Sequence, residues 1–205
     1  MEFLIANWLG ILGLITGLLC VWLLIKEHIY TFPLGLAYAL ITVVVMLEAK
    51  LYADVLLNGY YVLMNAYGWY FWLQGGGERR SAETLRVAWL STSARLTALV
   101  ATAVGTLLLG TYFATQTDAD FAYADSFTTM ASFIAMWMSA RKYIDSWIVW
   151  LIVDVISVAL YLLKADGDPT LYYYAVLYTI YLWMAVVGYR AWHQHLPIPR
   201  ELATK

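Results

Sequence analysis

Apolar residues occupy seven runs of this chain, separated by short charged or turn-forming breaks. The runs cover residues 4–25, 29–47, 51–73, 94–114, 124–140, 146–163 and 170–192. Each run is close to the ~17–25 residues that an α-helix needs to cross a bilayer. The pattern therefore predicts an all-α integral membrane protein with seven transmembrane helices.

Polar and small residues interrupt the third run at helical spacing. They follow one another in steps of three and four residues, as Asp54, Asn58, Tyr61, Asn65, Gly68 and Trp72. This spacing places all of them on one stripe of a helix. A helix that is apolar on its other sides turns such a stripe to neighbouring helices or to water rather than to lipid.

The sequence of the third run resembles that of the seventh run. Residues 51–74 and 171–194 align without a gap, share eight identities in 24 positions, and both end in Gly-aromatic-x-x-Trp-x-Gln. We interpret this as an internal duplication within one membrane domain. Repeat one would cover about 4–73 and repeat two about 124–192. The alternative is a duplicated structural bundle without a transport pathway.

Two three-helix units inserted in the same direction need an odd helix between them, because three crossings reverse the chain. The run at about 94–114 suits this linker, since it is mostly Leu, Ala, Thr and Val. The predicted fold is thus a 3+1+3 parallel repeat, the SWEET-like architecture. Transporters built from parallel repeats bind their substrates near the bilayer midplane, at the repeat interface.

Composition narrows the class of protein. Hydrophobic residues make up 63% of the 205 residues and charged residues 13%, with a mean hydropathy of +0.69, which is typical of a membrane protein. A net charge of −2 gives no footprint for nucleic acid. The single cysteine, Cys20, excludes a disulfide framework. The three histidines lie outside the apolar runs and no nucleotide-binding loop occurs, so we expect neither a cofactor nor an enzyme activity.

Basic residues predict the orientation in the membrane. With the N-terminus outside, ten of the twelve Lys and Arg residues would face the cytoplasm, and only Lys50 and Lys164 would lie outside. Cytoplasmic loops of membrane proteins carry an excess of Lys and Arg. We therefore expect the N-terminus outside and the C-terminus in the cytoplasm.

The sixth run carries the strongest candidate chemistry. Trp147, Trp150, Asp154, Ser157 and Tyr161 share one stripe, and Asp154 is the only ionisable residue at the centre of any span. A charge there costs about 2.5–3.5 kcal/mol on insertion scales, so it should face a cavity and have a partner. Tryptophan faces attract cations by about 0.5–2 kcal/mol, which predicts a site for a flat, positively charged ring. The alternative is that the two tryptophans belong to an interfacial belt.

Further candidate substrate contacts lie on four other runs. They are Tyr38, Asn58, Tyr61, Asn65, Thr129, Ser132, Tyr178 and Tyr181. A path lined by amides and phenols suits an aromatic solute that carries hydroxyl groups. For the hydroxyl residues of the fifth run the alternative is a hydrogen bond to their own backbone or to a neighbouring helix.

Several motifs resemble those of the PnuC family of vitamin transporters, over nearly the whole chain except the fourth run and its loops. These motifs are Leu51-Tyr52-Ala53-Asp54, Tyr67-Gly68-Trp69-Tyr70-x-Trp72, Asp125-Ser126, Arg141-Lys142-Tyr143 and Trp147-x-x-Trp150. The resemblance implies a seven-helix, three-one-three transporter of the bacterial cytoplasmic membrane, often a homotrimer. Its substrate would be nicotinamide riboside, carried by facilitated diffusion and trapped through phosphorylation by a cytoplasmic kinase.

The resemblance also implies roles for particular residues and leaves alternatives open. The family's Trp-x-x-Trp pair maps onto Trp147 and Trp150, whereas Asp154 stands where nicotinamide riboside carriers have an asparagine. Thiamine, the substrate of some relatives, is therefore the alternative cargo, and riboflavin is a more distant one. Two further hypotheses are a carrier in which Asp154 moves a proton and a membrane scaffold that transports nothing.

Overall fold

The predicted helices are present with nearly the predicted ends. A computed structural model describes residues 8–48, 52–75, 85–118, 120–165 and 167–197. These residues form α1 (Trp8–Ile25), α2 (Thr31–Glu48), α3 (Tyr52–Gln74), α4 (Thr92–Gln116), α5 (Ala122–Ala140), α6 (Asp145–Lys164) and α7 (Leu171–Gln194). From the end of α1 onward, no predicted end differs by more than two residues.

Length and composition identify three clear membrane-crossing helices among the described residues. These are α4, α6 and α7, while α1 and α2 contain the shorter apolar stretches Leu12–Ile25 and Thr31–Val44. The fold is therefore all-helical, with several passes through the membrane. The chain divides into two compact units, Met1–Leu85 and Arg86–Lys205.

The first unit packs α1 on α2 and α2 on α3. Between α1 and α2 the chain turns at Glu27, whose φ is 55°, and the next amide, that of His28, donates to the carbonyl of Leu23 over 2.9 Å. This is a Schellman ending. Inside the unit, the Phe32 ring covers the position of Gly68.

The second unit packs its four helices in sequence, α4 on α5, α5 on α6 and α6 on α7. The turn between α5 and α6 has the same form as the turn in the first unit. Lys142 has a φ of 59°, and the Tyr143 amide donates to the carbonyl of Met138 over 2.9 Å. The Arg141 guanidinium lies over the Trp137 ring, 5.7 Å from its centroid.

A short extended segment before α4, Arg86–Leu90, is held against this turn. Ala88 exchanges backbone hydrogen bonds with Lys142 and Ile144, and the Leu90 amide donates to Asp145 Oδ2 over 2.7 Å. The other oxygen of Asp145 accepts from Arg95 Nε, also over 2.7 Å. One carboxylate at the start of α6 thus fastens both the segment and the first turn of α4.

At the opposite end of the second unit, a polar turn precedes α7. Asp168 Oδ1 accepts hydrogen bonds from the Thr170 amide and hydroxyl over 2.9 and 2.7 Å. These bonds stabilise the carboxylate and lower the pKa of Asp168 below its ordinary value. Nearby in the chain, Lys164 Nζ forms an ion pair with Asp125 Oδ2 over 2.9 Å, which joins the ends of α5 and α6.

Candidate functional site

The predicted stripe of α6 faces the inside of the protein. Trp147, Asp154 and Ser157 are 1%, 4% and 6% exposed. Ile152 and Val155, on the other side of the helix, are 43% and 48% exposed. The expectation that α6 turns its polar side away from lipid is thereby confirmed.

Asp154 lies at the middle of α6, one helical turn beyond Trp150. The sequence predicted a partner for its carboxylate, but within the described residues no side chain forms a hydrogen bond or an ion pair with it. A buried carboxylate is costly unless it is paired or neutralised. The position therefore has the electrostatic character of a site for a cationic ligand.

Trp150 is half-buried and held in place from α5. Its indole Nε1 donates to Ser139 Oγ over 3.2 Å. The bond orients the ring and leaves part of it accessible. Ser139 lies seven residues beyond Ser132 on α5, two helical turns along the same side, but its role as the partner of Trp150 could not be predicted from spacing.

Trp147 is packed as a core side chain rather than an interfacial one. Its ring covers Gly188 of α7, where an added Cβ would lie 2.6 Å from three ring carbons. It also meets Trp192 edge-on, with centroids 5.4 Å apart and planes at 89°. The buried Nε1 of Trp147 has no hydrogen-bond partner in the described part of the chain, so it remains available as a donor.

Replacing Gly188 with alanine is expected to dislodge the Trp147 ring. Overpacking of this kind costs about 1–3 kcal/mol, so the melting temperature in detergent should fall. Gly59→Ala is the matched control, because an added Cβ there meets nothing within 4 Å. A melting temperature that is equal in both variants would contradict the packing described here.

The predicted site residues of the first unit divide into buried and exposed ones. Asn58 and Asn65 are 9% and 5% exposed, and Asn65 Nδ2 donates to the Tyr61 carbonyl over 2.8 Å. The Asn65 side chain approaches Gly35 so closely that no Cβ would fit there. Tyr38 is 41% exposed, and the Asp54 side chain lies outside the described residues.

The polar side of α3 is thus turned inward, as its spacing predicted. Tyr61 is half-buried, and its ring meets Tyr60 edge-on at a centroid distance of 6.0 Å. The buried amides of Asn58 and Asn65 can offer hydrogen bonds to a polar ligand. Whether they touch a substrate remains a prediction.

The two hydroxyl candidates on α5 bond to their own helix. Thr129 Oγ1 donates to the Asp125 carbonyl over 2.8 Å, and Ser132 Oγ donates to the Thr128 carbonyl over 2.7 Å. This is the alternative that the sequence left open. Each oxygen can still accept a hydrogen bond.

The two tyrosine candidates on α7 contact each other. The rings of Tyr178 and Tyr181 meet edge-on, with centroids 6.1 Å apart and planes at 74°. Tyr178 also stacks on Tyr161 of α6, 5.3 Å away with the planes inclined by 23°. Sequence periodicity placed Tyr161 on the α6 stripe but did not identify it as a partner of α7.

Comparison with known proteins identifies the family of this chain. The sequence profile of a family described as "Nicotinamide mononucleotide transporter" matches residues 7–194. The chain belongs to this family. Its relatives include the nicotinamide riboside transporter PnuC of Escherichia coli (strain K12), 28% identical over 91% of this chain and 85% of the relative. A more distant one is the riboflavin/roseoflavin transporter RibM of Streptomyces davaonensis, 24% identical over 90% and 84%.

The fold is also known from a solved member of the family. The crystal structure of the vitamin B3 transporter PnuC superimposes with a TM-score of 0.70, covering 95% of this chain and 84% of the other, at 23% identity. Family membership makes the chain a multi-pass transporter of the bacterial inner membrane, not an enzyme. The resemblance inferred from the sequence motifs is confirmed.

Proposed function

We propose that this protein carries nicotinamide riboside across the cytoplasmic membrane by facilitated diffusion. The observation that carries the proposal is the buried carboxylate of Asp154 beside Trp150, without a side-chain partner among the described residues, in a member of this family. Nicotinamide riboside has a flat pyridinium ring with a permanent positive charge and a sugar rich in hydroxyl groups. A carboxylate and an indole face complement the charge and the flat face of the ring.

Each part of the proposed site has a distinct task. Asp154 offsets the charge of the ring and Trp150 stacks on its face. Trp147 forms the wall behind them and offers its indole N–H. In the second unit the Tyr181 region bonds to hydroxyls of the solute, and in the first unit Asn58 and Asn65 are proposed to do the same. Rocking of one repeat against the other moves the solute across.

The internal repeat belongs to this proposal. Two pairs of residues, each 115 positions apart, occupy equivalent places in the two repeats. Glu27 corresponds to Lys142, the other left-handed turn residue, and Phe32 corresponds to Trp147. Each of these two rings covers a glycine and meets a tryptophan edge-on, at 4.9 Å in the first unit and 5.4 Å in the second. Such paired details support two copies of one three-helix unit, with α4 as the linker and seven crossings in all.

Orientation, assembly and trapping complete the proposal. The distribution of Lys and Arg supports an outside N-terminus. α4 exposes Leu99, Leu107 and Leu108 by 68%, 60% and 70%, an apolar face suited to lipid or to further copies in a homotrimer. A cytoplasmic kinase would add a phosphate to the sugar, and the doubly charged group would prevent return through a site built for a cation.

Calorimetric titration of the purified protein tests the substrate. Nicotinamide riboside should bind with a Kd of about 1 µM or tighter, and riboflavin, whose ring system is neutral, should bind far more weakly because Asp154 gives it nothing to pair with. Absence of binding by nicotinamide riboside would overturn the proposal. Equal flux into liposomes with and without a pH gradient is expected of a passive carrier, whereas a proton-coupled carrier would respond to the gradient.

Thiamine is the second candidate cargo. Its thiazolium ring carries the same positive charge as the pyridinium, so Asp154 favours it as well. The two are separated in the same titration, since thiamine lacks the ribose that Asn58 and Asn65 are proposed to bind. Tighter binding of thiamine than of nicotinamide riboside would assign the protein to the thiamine-carrying members of the family.

A further inference from the structure

Three tyrosine rings are stacked at the end of the second unit that lies opposite the turn at Lys142. The ring of Tyr161 on α6 is nearly parallel to that of Tyr174 on α7, at a centroid distance of 5.2 Å and an angle of 18°. It is nearly parallel to Tyr178 as well, at 5.3 Å and 23°. At these distances the contacts are offset stacks, an arrangement that aromatic pairs prefer, and they bring three phenol rings together at this end of the unit.

The stack leads from the end of the helices toward the central acid. Tyr161 is two helical turns beyond Asp154 on α6, a rise of about 10.5 Å. On α7, Tyr174, Tyr178 and Tyr181 follow at successive turns, and Tyr181 stands halfway along the helix. Tyr174 keeps 50% of its surface exposed, so the outermost ring is accessible.

An ion pair borders the stack. Lys164 is one turn beyond Tyr161 on the same face of α6, and its Nζ lies 2.9 Å from Asp125 Oδ2. The two side chains are 30% and 43% exposed. Exposed ion pairs contribute little to stability, so Asp125 can exchange Lys164 for another cation.

We propose that Tyr161, Tyr174 and Tyr178 form an outer station that captures flat cationic rings before they reach Asp154. The ring stacks on the phenol faces while Asp125 turns from Lys164 toward its charge, and the solute then passes along Tyr178 and Tyr181. This inference rests on the proposed function and adds to it a first binding step at the end that the proposed orientation places outside. It concerns the rate of capture rather than the final affinity.

Rapid-mixing measurements of tryptophan fluorescence on the full-length protein in lipid nanodiscs, with nicotinamide riboside as the probe, test the station. Tyr161→Leu should lower the association rate about threefold to tenfold. Because a step on the path affects entry and exit alike, the dissociation rate should fall by the same factor and Kd should stay constant. Tyr161→Phe keeps the ring face and should restore both rates.

The neighbouring Tyr173 provides the matched control. It is 79% exposed, and no contact of its ring with another aromatic ring occurs in the described residues, so Tyr173→Leu should leave both rates unchanged. Lys164→Gln, which removes the competing cation, should raise the association rate about twofold to fivefold. It also provides a test that does not depend on the folding of Tyr161→Leu.

Two results would overturn the station. The first is an unchanged association rate in Tyr161→Leu, which together with a higher Kd would make Tyr161 part of the deep site. The second is an equal loss of association rate in Tyr173→Leu. If the unmodified protein binds no nicotinamide riboside, the proposed function fails instead. The two failures are therefore distinguishable in one series of measurements.

Discussion

Asp154→Asn is expected to weaken the binding of the cationic solute about 30- to 150-fold, and the loss should be larger for thiamine than for nicotinamide riboside, whose carriers are expected to have an asparagine at this position. The substitution keeps the volume of the side chain and removes its negative charge. A buried interaction with a charged partner contributes about 2–3 kcal/mol, which corresponds to this factor. Asp154 is 4% exposed, and the other carboxylate of α6, that of Asp145, is held by the Leu90 amide and Arg95 at the start of the helix. Calorimetric titration gives the two dissociation constants directly.

The same variant separates a loss of binding from a loss of folding. An uncharged amide is less costly to bury than a carboxylate, so the melting temperature should be equal or higher. Asp168→Asn serves as the control, because Asp168 lies in the exposed turn before α7 and should leave binding intact. A dissociation constant for Asp154→Asn within twofold of the unmodified protein would rule out the proposed counter-charge.

Periodicity was sufficient to predict the helices and the direction of their polar sides. Long apolar runs are strong signals of transmembrane helices. The burial of Asn58 and Asn65 on α3 and of Ser157 on α6 follows from the spacing of three and four residues along each helix. The centre of α6 could also be recognised in advance as a candidate site. Burying a carboxylate at membrane depth costs free energy, so such a residue is usually retained for function.

Contacts between helices could not be predicted in this way. The covering of Gly188 by Trp147 joins residues 41 positions apart, and no local pattern encodes such a pair. The sequence predicted one site for a flat cationic ring from both Trp147 and Trp150, whereas the structure packs the Trp147 ring against α7 and leaves Trp150 as the more accessible indole. Tertiary packing, not helical phase, decides which member of a tryptophan pair is exposed.

The turns at Glu27 and Lys142 could not be predicted from the sequence either. Glu27 and Lys142 adopt left-handed backbone conformations that cost a residue with a side chain about 1–2 kcal/mol. Glycine usually occupies this position after a helix, so the sequence contained no signal for a Schellman ending. The hydrogen bonds from the His28 amide to the Leu23 carbonyl and from the Tyr143 amide to the Met138 carbonyl stabilise the two turns instead.

Asp145→Ala is expected to destabilise the protein by about 2–4 kcal/mol and to lower the melting temperature by about 5–10 °C. The carboxylate accepts from the Leu90 amide and from Arg95 Nε, both over 2.7 Å. Removing it leaves a buried backbone donor without its acceptor. It also releases the segment Arg86–Leu90 from the start of α6.

The ion pair of Asp125 and Lys164 serves as a more exposed comparison for the pair of Asp145 and Arg95. The two pairs have similar N–O distances, 2.9 and 2.7 Å, but Asp125 and Lys164 are 43% and 30% exposed whereas Asp145 is 10% exposed. Asp125→Ala should therefore cost at most about 1 kcal/mol. Thermal unfolding of the two variants in one detergent measures the difference. If Asp145→Ala were as harmless as Asp125→Ala, the segment before α4 would not depend on the buried carboxylate, and the backbone hydrogen bonds of Ala88 would hold it instead.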